Sequence, residues 1–325
     1  MLYQLSYLAA PAQSRAWPGS AYRSLVQSRQ IALIGVPLDL GAASRRGVDM
    51  GPSAIRYAGI GERIDGLGHA CRDQGNVEAP MREMASPGDE RARYLDEIVA
   101  TCERVAVRVA ESAQQGLVPL VLGGDHSIAV GTLGGMASVR GRGGVLWLDA
   151  HGDLNTPQTT PSGNVHGMPL AAALGRAGDG FASKVWPLPS IDPRHVALVG
   201  CRSLDDGERA LIAELGLAVF TMSEIDRRGL QAVVCDALAV VAGADFVHVS
   251  LDLDVVDPEV APGVGTPVRG GLSYREAHLA MELVAEAGTL ASLEIVEVNP
   301  ILDSRNRTAR LAVELIASAL GARIL

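Results

Sequence analysis

The chain has 325 residues, a formal net charge of -9 and a sequence pI near 5.3. It is long enough to bury a large core, and its acidic balance argues against nucleic acid or an anionic membrane as a partner. Its apolar runs fall short of the roughly 20 residues that a transmembrane helix needs, its amino terminus lacks a basic segment, and its four cysteines are widely spaced, which together predict a cytoplasmic protein.

From Gln30 onward, apolar runs rich in Val, Ile and Leu alternate with longer amphipathic stretches. The predicted strands cover 31–36, 118–122, 144–149, 195–200, 217–220, 246–252 and 291–296. The predicted helices cover about 52–58, 92–115, 127–139, 168–175, 206–214, 229–242, 273–287 and 305–320. Continuous apolar strands that alternate with helices predict an α/β fold with a mostly parallel sheet covered on both faces.

Residues 1–29 contain Pro11, Pro18, Gly19 and several serines, and we interpret them as a leader of unknown role. After residue 30 the sequence shows no linker, internal repeat or low-complexity tract. Residues 30–325 are therefore predicted to form a single domain.

Three short segments contain potential metal ligands, and each segment follows a predicted strand. The six ligand candidates are His126 in the first segment, Asp149, His151 and Asp153 in the second, and Asp252 and Asp254 in the third. Carboxylates and imidazoles are costly to bury without a partner, so this pattern indicates a bound cation. Ligands of open α/β sheets bind beyond the carboxyl ends of strands, where Glu297 is also expected.

The type and number of the metal ions follow from the donor set. Four carboxylates supply more negative charge than one divalent ion balances, which predicts two ions about 3.5–4 Å apart. An oxygen-rich set with two imidazoles suits Mn(II) better than structural zinc. Each segment alone has an ordinary explanation, such as a strand-end cap or a hydrogen-bonded core histidine, but all three would have to coincide. Four other histidines are interpreted as structural: His69, His195, His248 and His278.

Several longer motifs resemble those of the ureohydrolase family, which includes arginases and agmatinases. In chain order they are Gly35-Val-Pro37, Arg46-Gly-Val-Asp-Met-Gly-Pro52, Gly123-Gly-Asp-His-Ser127, Asp149-Ala-His-Gly-Asp153, Ser250-Leu-Asp-Leu-Asp-Val-Val-Asp-Pro258, Gly265-Thr-Pro267, Gly270-Gly-Leu272 and Glu297-Val-Asn-Pro300. The resemblance implies a three-layer α/β/α fold, a ureohydrolase catalytic domain over residues 30–325, and hydrolysis of a guanidinium group to urea and an amine. It also implies a homotrimer or homohexamer, with 304–325 as a candidate interface.

The resemblance assigns ligands to two manganese ions per subunit. One ion would be held by His126, Asp149, Asp153 and Asp252, and the other by Asp149, His151, Asp252 and Asp254. Asp149 and Asp252 would therefore bridge the two ions.

The loop over residues 155–169 resembles that of arginases. The resemblance implies six substrate-binding residues. Asn155, Thr160 and Ser162 would bind the α-carboxylate of L-arginine, and Asp205 and Glu208 would bind its α-ammonium. The sixth is Thr266, from the Gly-Thr-Pro motif. Small hydrogen-bonding groups suit a carboxylate and an acid suits an ammonium. The same residue types in the loop also form ordinary turns.

Three residues are predicted to take part in catalysis. Glu297 would pair with the guanidinium, and Asp153 would pass a proton from the attacking water to the departing amine. His166 would keep the released amine protonated, since imidazole titrates nearest physiological pH.

The predicted reaction is the hydrolysis of L-arginine to L-ornithine and urea. The nearest alternative is a ureohydrolase that acts on agmatine, guanidinobutyrate or a related guanidino compound. More distant alternatives are an amide hydrolase on a related fold and a non-catalytic metal-binding protein.

Overall fold

Eight parallel strands form one sheet in the computed structural model, which describes residues 28–42 and 45–322. The strands are β1 (Gln30–Val36), β2 (Ala70–Asn76), β3 (Val118–Gly123), β4 (Gly143–Leu148), β5 (Ile191–Cys201), β6 (Ala218–Thr221), β7 (Val247–Asp252) and β8 (Leu290–Val296). Their order across the sheet is β2-β1-β3-β8-β7-β4-β5-β6. All seven predicted strands are confirmed. The predicted leader lies outside the described residues, except for its last two residues. Residues 323–325, the end of the candidate interface segment, also lie outside them.

Ten α-helices in the described ranges cover the two faces of the sheet. They are α1 (Gly51–Tyr57), α2 (Ile60–Gly66), α3 (Leu95–Gln114), α4 (Ala129–Arg140), α5 (Pro169–Ala173), α6 (Asp206–Leu215), α7 (Met222–Arg228), α8 (Leu230–Val241), α9 (Tyr274–Ala287) and α10 (Arg307–Ala319). None of these helices is long and apolar enough to cross a membrane.

Side chains of each central strand alternate between two apolar layers. In β4, Val145 and Trp147 pack with α3 to α6, whereas Leu146 and Leu148 pack with α1, α2 and α7 to α10. A strand that is buried on both faces has no need of polar residues at alternate positions, which explains its continuous apolar sequence. The predicted three-layer α/β/α fold with a parallel sheet is confirmed.

The elements that were not predicted are short or polar. β2 forms one edge of the sheet and has the sequence Ala-Cys-Arg-Asp-Gln-Gly-Asn, so it lacks an apolar run. The helices α2 and α7 have seven residues each, too few to show a helical period. The predicted start of α9 is confirmed, because the Ser273 and Glu276 side chains each bond the other residue's backbone N–H.

A close contact between α3 and α4 holds the turn that carries His126. A Cβ atom on Gly131 would lie 2.5 Å from the carbonyl oxygen of Cys102, and one on Gly135 would lie 2.5 Å from that of Ala106. The two helix backbones therefore approach each other where only glycine fits. Since α4 begins three residues after His126, this contact positions the start of the site.

We expect Gly131→Ala to lower the free energy of unfolding by about 1–3 kcal/mol, because the added methyl group must push the two helices apart. Gly61→Ala is the matched control, since a Cβ there meets nothing within 4 Å and alanine favours a helix over glycine by up to about 1 kcal/mol. Denaturant unfolding of both variants measures the difference. Equal effects would show that the α3–α4 contact tolerates a side chain.

Candidate metal centre and substrate cavity

Four adjacent strands, β3, β8, β7 and β4, end at one level of the sheet. Ile295 of β8 pairs with Leu122 of β3 on one side and with Leu251 of β7 on the other. Leu251 in turn pairs with Leu148 of β4. The residues that follow therefore emerge side by side at the edge where parallel sheets bind ligands. The predicted polar groups found there are His126, Asp149, His151, Asp153, Asp252, Asp254 and Glu297, and all but His151 are buried.

Three carboxylates surround the ring of His126. Its Nδ1 lies 3.2 Å from an oxygen of Asp149, 3.0 Å from one of Asp153 and 3.3 Å from one of Asp252. None of these contacts has the geometry of a hydrogen bond, and this buried nitrogen has no such partner among the described residues. Buried polar atoms are rarely left in this state. A cation bound among these four side chains would satisfy them together.

A second group of potential ligands shares Asp149 with the first. His151 Nδ1 lies 3.4 Å from an Asp149 oxygen and 3.0 Å from an Asp254 oxygen. Ligand atoms of His126, Asp149 and Asp153 lie within 4.8 Å of one another, and so do those of Asp149, His151 and Asp254. Two overlapping groups with a common carboxylate suit a pair of cations better than a single one.

The pKa values at this edge reflect the crowding of buried charges. Burial and the nearby charges of Asp254 and Asp149 raise the pKa of Asp252 well above its usual range. Burial together with Asp149 raises the pKa of Asp153 to about 6. Burial opposes a charge on His126, yet the surrounding carboxylates raise the pKa of its ring well above the ordinary value. Without a metal ion, these raised pKa values mean that bound protons offset part of the negative charge. Bound cations would offset it in place of the protons.

The donor set fits a hard divalent cation. Carboxylate oxygens outnumber the two imidazoles, and none of the residues in the two groups is a cysteine. Oxygen-rich sites of this kind suit Mn(II) or Mg(II), and imidazole ligands favour the transition metal of the two.

A column of polar side chains runs from the site into the sheet. His248, Ser250 and Asp252 alternate along β7 and therefore share one face. Ser250 Oγ lies 2.7 Å from His126 Nε2 and donates a hydrogen bond of 2.8 Å to Glu294 Oε1. His248 Nε2 lies 3.3 Å from the same Glu294 oxygen. The column fixes the His126 ring from behind and leaves its Nδ1 facing the carboxylates.

Two further residues support the ligand candidates. The Trp147 indole stacks on the His126 ring with centroids 4.2 Å apart, and its Nε1 donates to Asp149. Asp125 accepts hydrogen bonds from the backbone N–H groups of Leu40 and Gly41, which ties the first loop to the site. The sequence did not predict a supporting role for Trp147, Ser250 or Glu294, because each lies within an apolar strand. Ser250 and Asp125 do lie within motifs quoted above, but neither was assigned a role.

Asp153 and Glu297 both adopt left-handed backbone conformations, with φ of 51° and 62°. Residues other than glycine rarely adopt this region, and such strain is frequent at functional sites. In both cases the turn places the side chain at the carboxyl edge of the sheet, either directly after a strand or in the loop that follows it.

A cavity of about 190 Å³ opens onto the ligand candidates. All six predicted substrate-binding residues line it, as do His166 and three of the predicted metal ligands. The lining comprises His151, Asp153, Asn155, Thr160, Ser162, Asn164, His166, Gly167, Ser203, Asp205, Glu208, Asp252 and Thr266. The structure therefore brings the candidates for substrate and metal binding together.

All six substrate candidates bond to other protein groups. Asn155 Nδ2 donates to Asp205 at 2.7 Å. Both carboxylate oxygens of Glu208 accept backbone N–H groups, from Leu154 and Asp205, and burial raises the pKa of Glu208 to about 7. Thr266 Oγ1 donates to Asp254 at 3.0 Å. Glu208 thus also stabilises the first turn of α6, and Thr266 also holds a metal-ligand candidate in place.

His166, which is partly exposed to the cavity, pairs with the buried side chain of Glu297. His166 Nδ1 lies 2.9 Å from Glu297 Oε1, which also accepts the backbone N–H of His126 at 3.0 Å. Burial opposes the charge on His166, but Glu297 raises the net pKa of the ring to about 9. Glu297 Oε2 is buried and has no hydrogen-bond partner among the described residues. One oxygen of this carboxylate is therefore left to receive a ligand.

Comparisons with known proteins agree on one family. A model described as "Arginase family" matches residues 29–321. The arginase of Bacillus caldovelox is 52% identical over 299 residues, which is 91% of this chain and 100% of the relative. The arginase of Bacillus subtilis is 51% identical over 297 residues, covering 91% and 99%. The solved structure of the Bacillus caldovelox arginase superposes with a TM-score of 0.88 at 51% identity, covering 91% of this chain and all of that one.

We expect Ser250→Ala to weaken divalent metal binding about tenfold or more, because it removes the group that fixes His126 from behind. Ser292→Ala is the matched control, since Ser292 is equally buried and bonds His248 Nδ1 at 2.8 Å, further from the metal candidates. Both variants should lose about 1 kcal/mol of stability. Titration with manganese followed by calorimetry separates them, and equal affinities would contradict a role for Ser250 in metal binding.

Proposed function

The chain belongs to the arginase family, and we propose that it hydrolyses L-arginine to L-ornithine and urea at a binuclear manganese centre. It is an enzyme of the ureohydrolase class, which acts on the carbon–nitrogen bond of a guanidino group. The observation that carries the proposal is the pair of overlapping carboxylate–imidazole groups beside a cavity that is also lined by hydroxyl, amide and acid groups.

The alternative guanidino substrates are not favoured. Relatives with about half of their residues identical over nearly their full length are arginases. Agmatine also lacks an α-carboxylate, so the amide and hydroxyl groups of Asn155, Thr160 and Ser162 would have no ligand in that substrate.

The proposed ligands follow from the two groups described above. His126, Asp149, Asp153 and Asp252 would hold one manganese ion, and Asp149, His151, Asp252 and Asp254 the other. When bound, the pair of ions supplies an activated water whose pKa lies near neutrality.

Glu297 has the task of orienting the guanidinium. A guanidinium stays protonated in proteins and pairs well with a carboxylate. The unpartnered Oε2 of Glu297 supports this role, and its Oε1 is fixed by His166 and by the His126 backbone. A carboxylate held in this way converts binding into alignment of the reacting carbon.

Protons move through Asp153 and His166. The oxygen of water adds to the guanidinium carbon, and the bond from that carbon to the chain nitrogen of arginine breaks. Asp153 accepts a proton from the attacking water and delivers it to the departing nitrogen, which suits a carboxyl whose pKa is raised toward neutrality. His166 lines the cavity and supplies the proton that keeps the ornithine amine charged.

The mouth of the cavity binds the α-amino acid end of the substrate. Asn155, Thr160 and Ser162 would donate hydrogen bonds to the carboxylate. Asp205, whose backbone N–H is bonded to Glu208, would bind the ammonium. Thr266 would contribute by holding Asp254.

We place residues 30–325 in one catalytic domain of a cytoplasmic homotrimer or homohexamer that serves arginine metabolism, including a urea cycle where one operates. The acidic charge and the four widely spaced cysteines support a cytoplasmic location. Residues 304–322, which include α10, are the described part of the proposed interface segment.

Urea release from manganese-loaded protein tests the function. We expect hydrolysis of L-arginine and a ratio of two manganese ions per subunit by elemental analysis. The kcat/KM for L-arginine should exceed that for agmatine and guanidinobutyrate by at least about a hundredfold, because a site built for polar groups rejects substrates that lack them. A preference for agmatine, or bound manganese without any urea release, would overturn the proposal.

His166→Asn should lower kcat by about tenfold or more while the manganese content stays at that of the unchanged protein, because the variant loses proton transfer and no proposed ligand. His195→Asn is the control: His195 bonds the carbonyl oxygen of Val240 at 2.8 Å, away from the cavity lining. Steady-state kinetics and elemental analysis measure both effects. Unchanged turnover in His166→Asn would remove the histidine from the mechanism.

A further inference from the structure

The segment 86–94 packs against the loop that is proposed to bind the α-carboxylate. The backbone N–H of Arg93 donates to the carbonyl oxygen of Gly163 at 3.1 Å, and its guanidinium donates to the side-chain oxygen of Asn164. Gly163 has a φ of 72°, and a Cβ on it would lie 1.9 Å from the carbonyl oxygen of Glu90. The two segments are therefore in direct backbone contact.

The substrate cavity has a charge problem that this contact addresses. Four carboxylates are among its lining residues. The charges of Asp153 and Asp252 would be offset by the proposed cations, but Asp205 and Glu208 are not metal ligands, and the lining contains no arginine or lysine. A substrate carboxylate entering such a cavity meets like charges, which disfavour binding. A positive charge near the carboxylate end would reduce this repulsion.

Two arginine side chains lie close to the loop on the side of segment 86–94. A second, open cavity of about 680 Å³ shares Thr160 and Ser162 with the first, and its other wall includes Arg91 and Arg93. The hydroxyl residues proposed to receive the carboxylate thus stand between the substrate and two guanidinium groups.

We infer that Arg93 is a positioning residue for substrate specificity, which holds Asn164 and the 160–164 loop in place and puts a positive charge behind the carboxylate-binding groups. The inference rests on the proposed function, because it assigns the carboxylate end of L-arginine to this loop. Arg93 suits the role because a half-buried guanidinium bonded to an amide is more fixed than an exposed side chain.

The position of Arg93 is itself fixed by the start of α3. Tyr94 is buried, has a φ of 59° and donates its backbone N–H to Pro87 at 2.8 Å. The Arg82 guanidinium lies over the Tyr94 ring, 5.1 Å from its centroid. Arg93 therefore reaches the loop from a turn anchored on a long helix, so that the loop is held by a rigid neighbour.

Arg93→Gln tests the inference. We expect the KM for L-arginine and the inhibition constant of L-ornithine to rise about tenfold, the loss expected for one charge-assisted contact. The kcat, the manganese content and the inhibition constant of putrescine, which resembles ornithine without its carboxylate, should change less than about twofold. A variant that had merely loosened the fold would weaken both inhibitors.

Arg91→Gln is the matched control, because Arg91 is exposed and lines the same second cavity. It removes the same charge without the bond to Asn164, so its effect on the KM should be less than about threefold given solvent screening. Asn164→Ala should reproduce part of the Arg93→Gln effect. The double variant should be less impaired than the product of the two single effects, because the residues act through one contact.

Three results would overturn the inference while leaving the proposed function intact. These are an unchanged KM for L-arginine in Arg93→Gln, an equal loss of affinity for L-ornithine and putrescine, and equal effects of Arg91→Gln and Arg93→Gln. Failure of the unchanged protein to release urea from L-arginine would instead overturn the proposed function itself.

Discussion

The concentration of four buried carboxylates at one edge of the sheet is the constraint on which the rest of the structure depends. Asp149, Asp153, Asp252 and Asp254 are each at most 6% exposed. Burying even one ionised carboxylate without a partner is costly, and neighbours of like charge add to that cost. The arrangement is tolerable only if imidazoles, backbone N–H groups and bound cations offset the charge together. This explains why the side chains of ligand candidates from three strand ends lie so close together.

The sheet meets this constraint by extending polar support inward. His248, Ser250 and Glu294 occupy positions in β7 and β8 that an apolar core would otherwise fill, and they are fully buried. Their hydrogen bonds reach the ligand candidates at His126, whose ring is held by Ser250 Oγ. A polar column inside a parallel sheet weakens the apolar core locally, so its presence is best explained by the need to fix a ligand ring. The stability of the fold and the geometry of the site are therefore coupled at β7.

The strands, and the position of the polar ligand candidates at one sheet edge, could be predicted from the sequence because the same physical pattern creates both. A run such as Val145 to Leu148 must be buried, and a charged residue directly after it must lie at the sheet edge. The pattern could not reveal β2, whose polar sequence is acceptable at an exposed edge. It also could not reveal contacts between distant segments: the bond from Arg93 to Asn164 joins residues 71 positions apart. For Thr266 the motif predicted substrate binding, and its position in the cavity lining is joined by a hydrogen bond to Asp254 that the sequence could not reveal.

The two halves of the site are held by different kinds of structure, and this has a consequence for specificity. The metal candidates sit at strand ends, where the register of four neighbouring strands fixes their separation. The groups proposed to bind the α-carboxylate lie in a loop that has side-chain and backbone contacts with segment 86–94. Changes in that segment can therefore alter which end group is accepted without moving a metal ligand. Because hydrolysis needs only the guanidinium end, substrate choice in this fold can be set by a contact that never touches the reacting atoms.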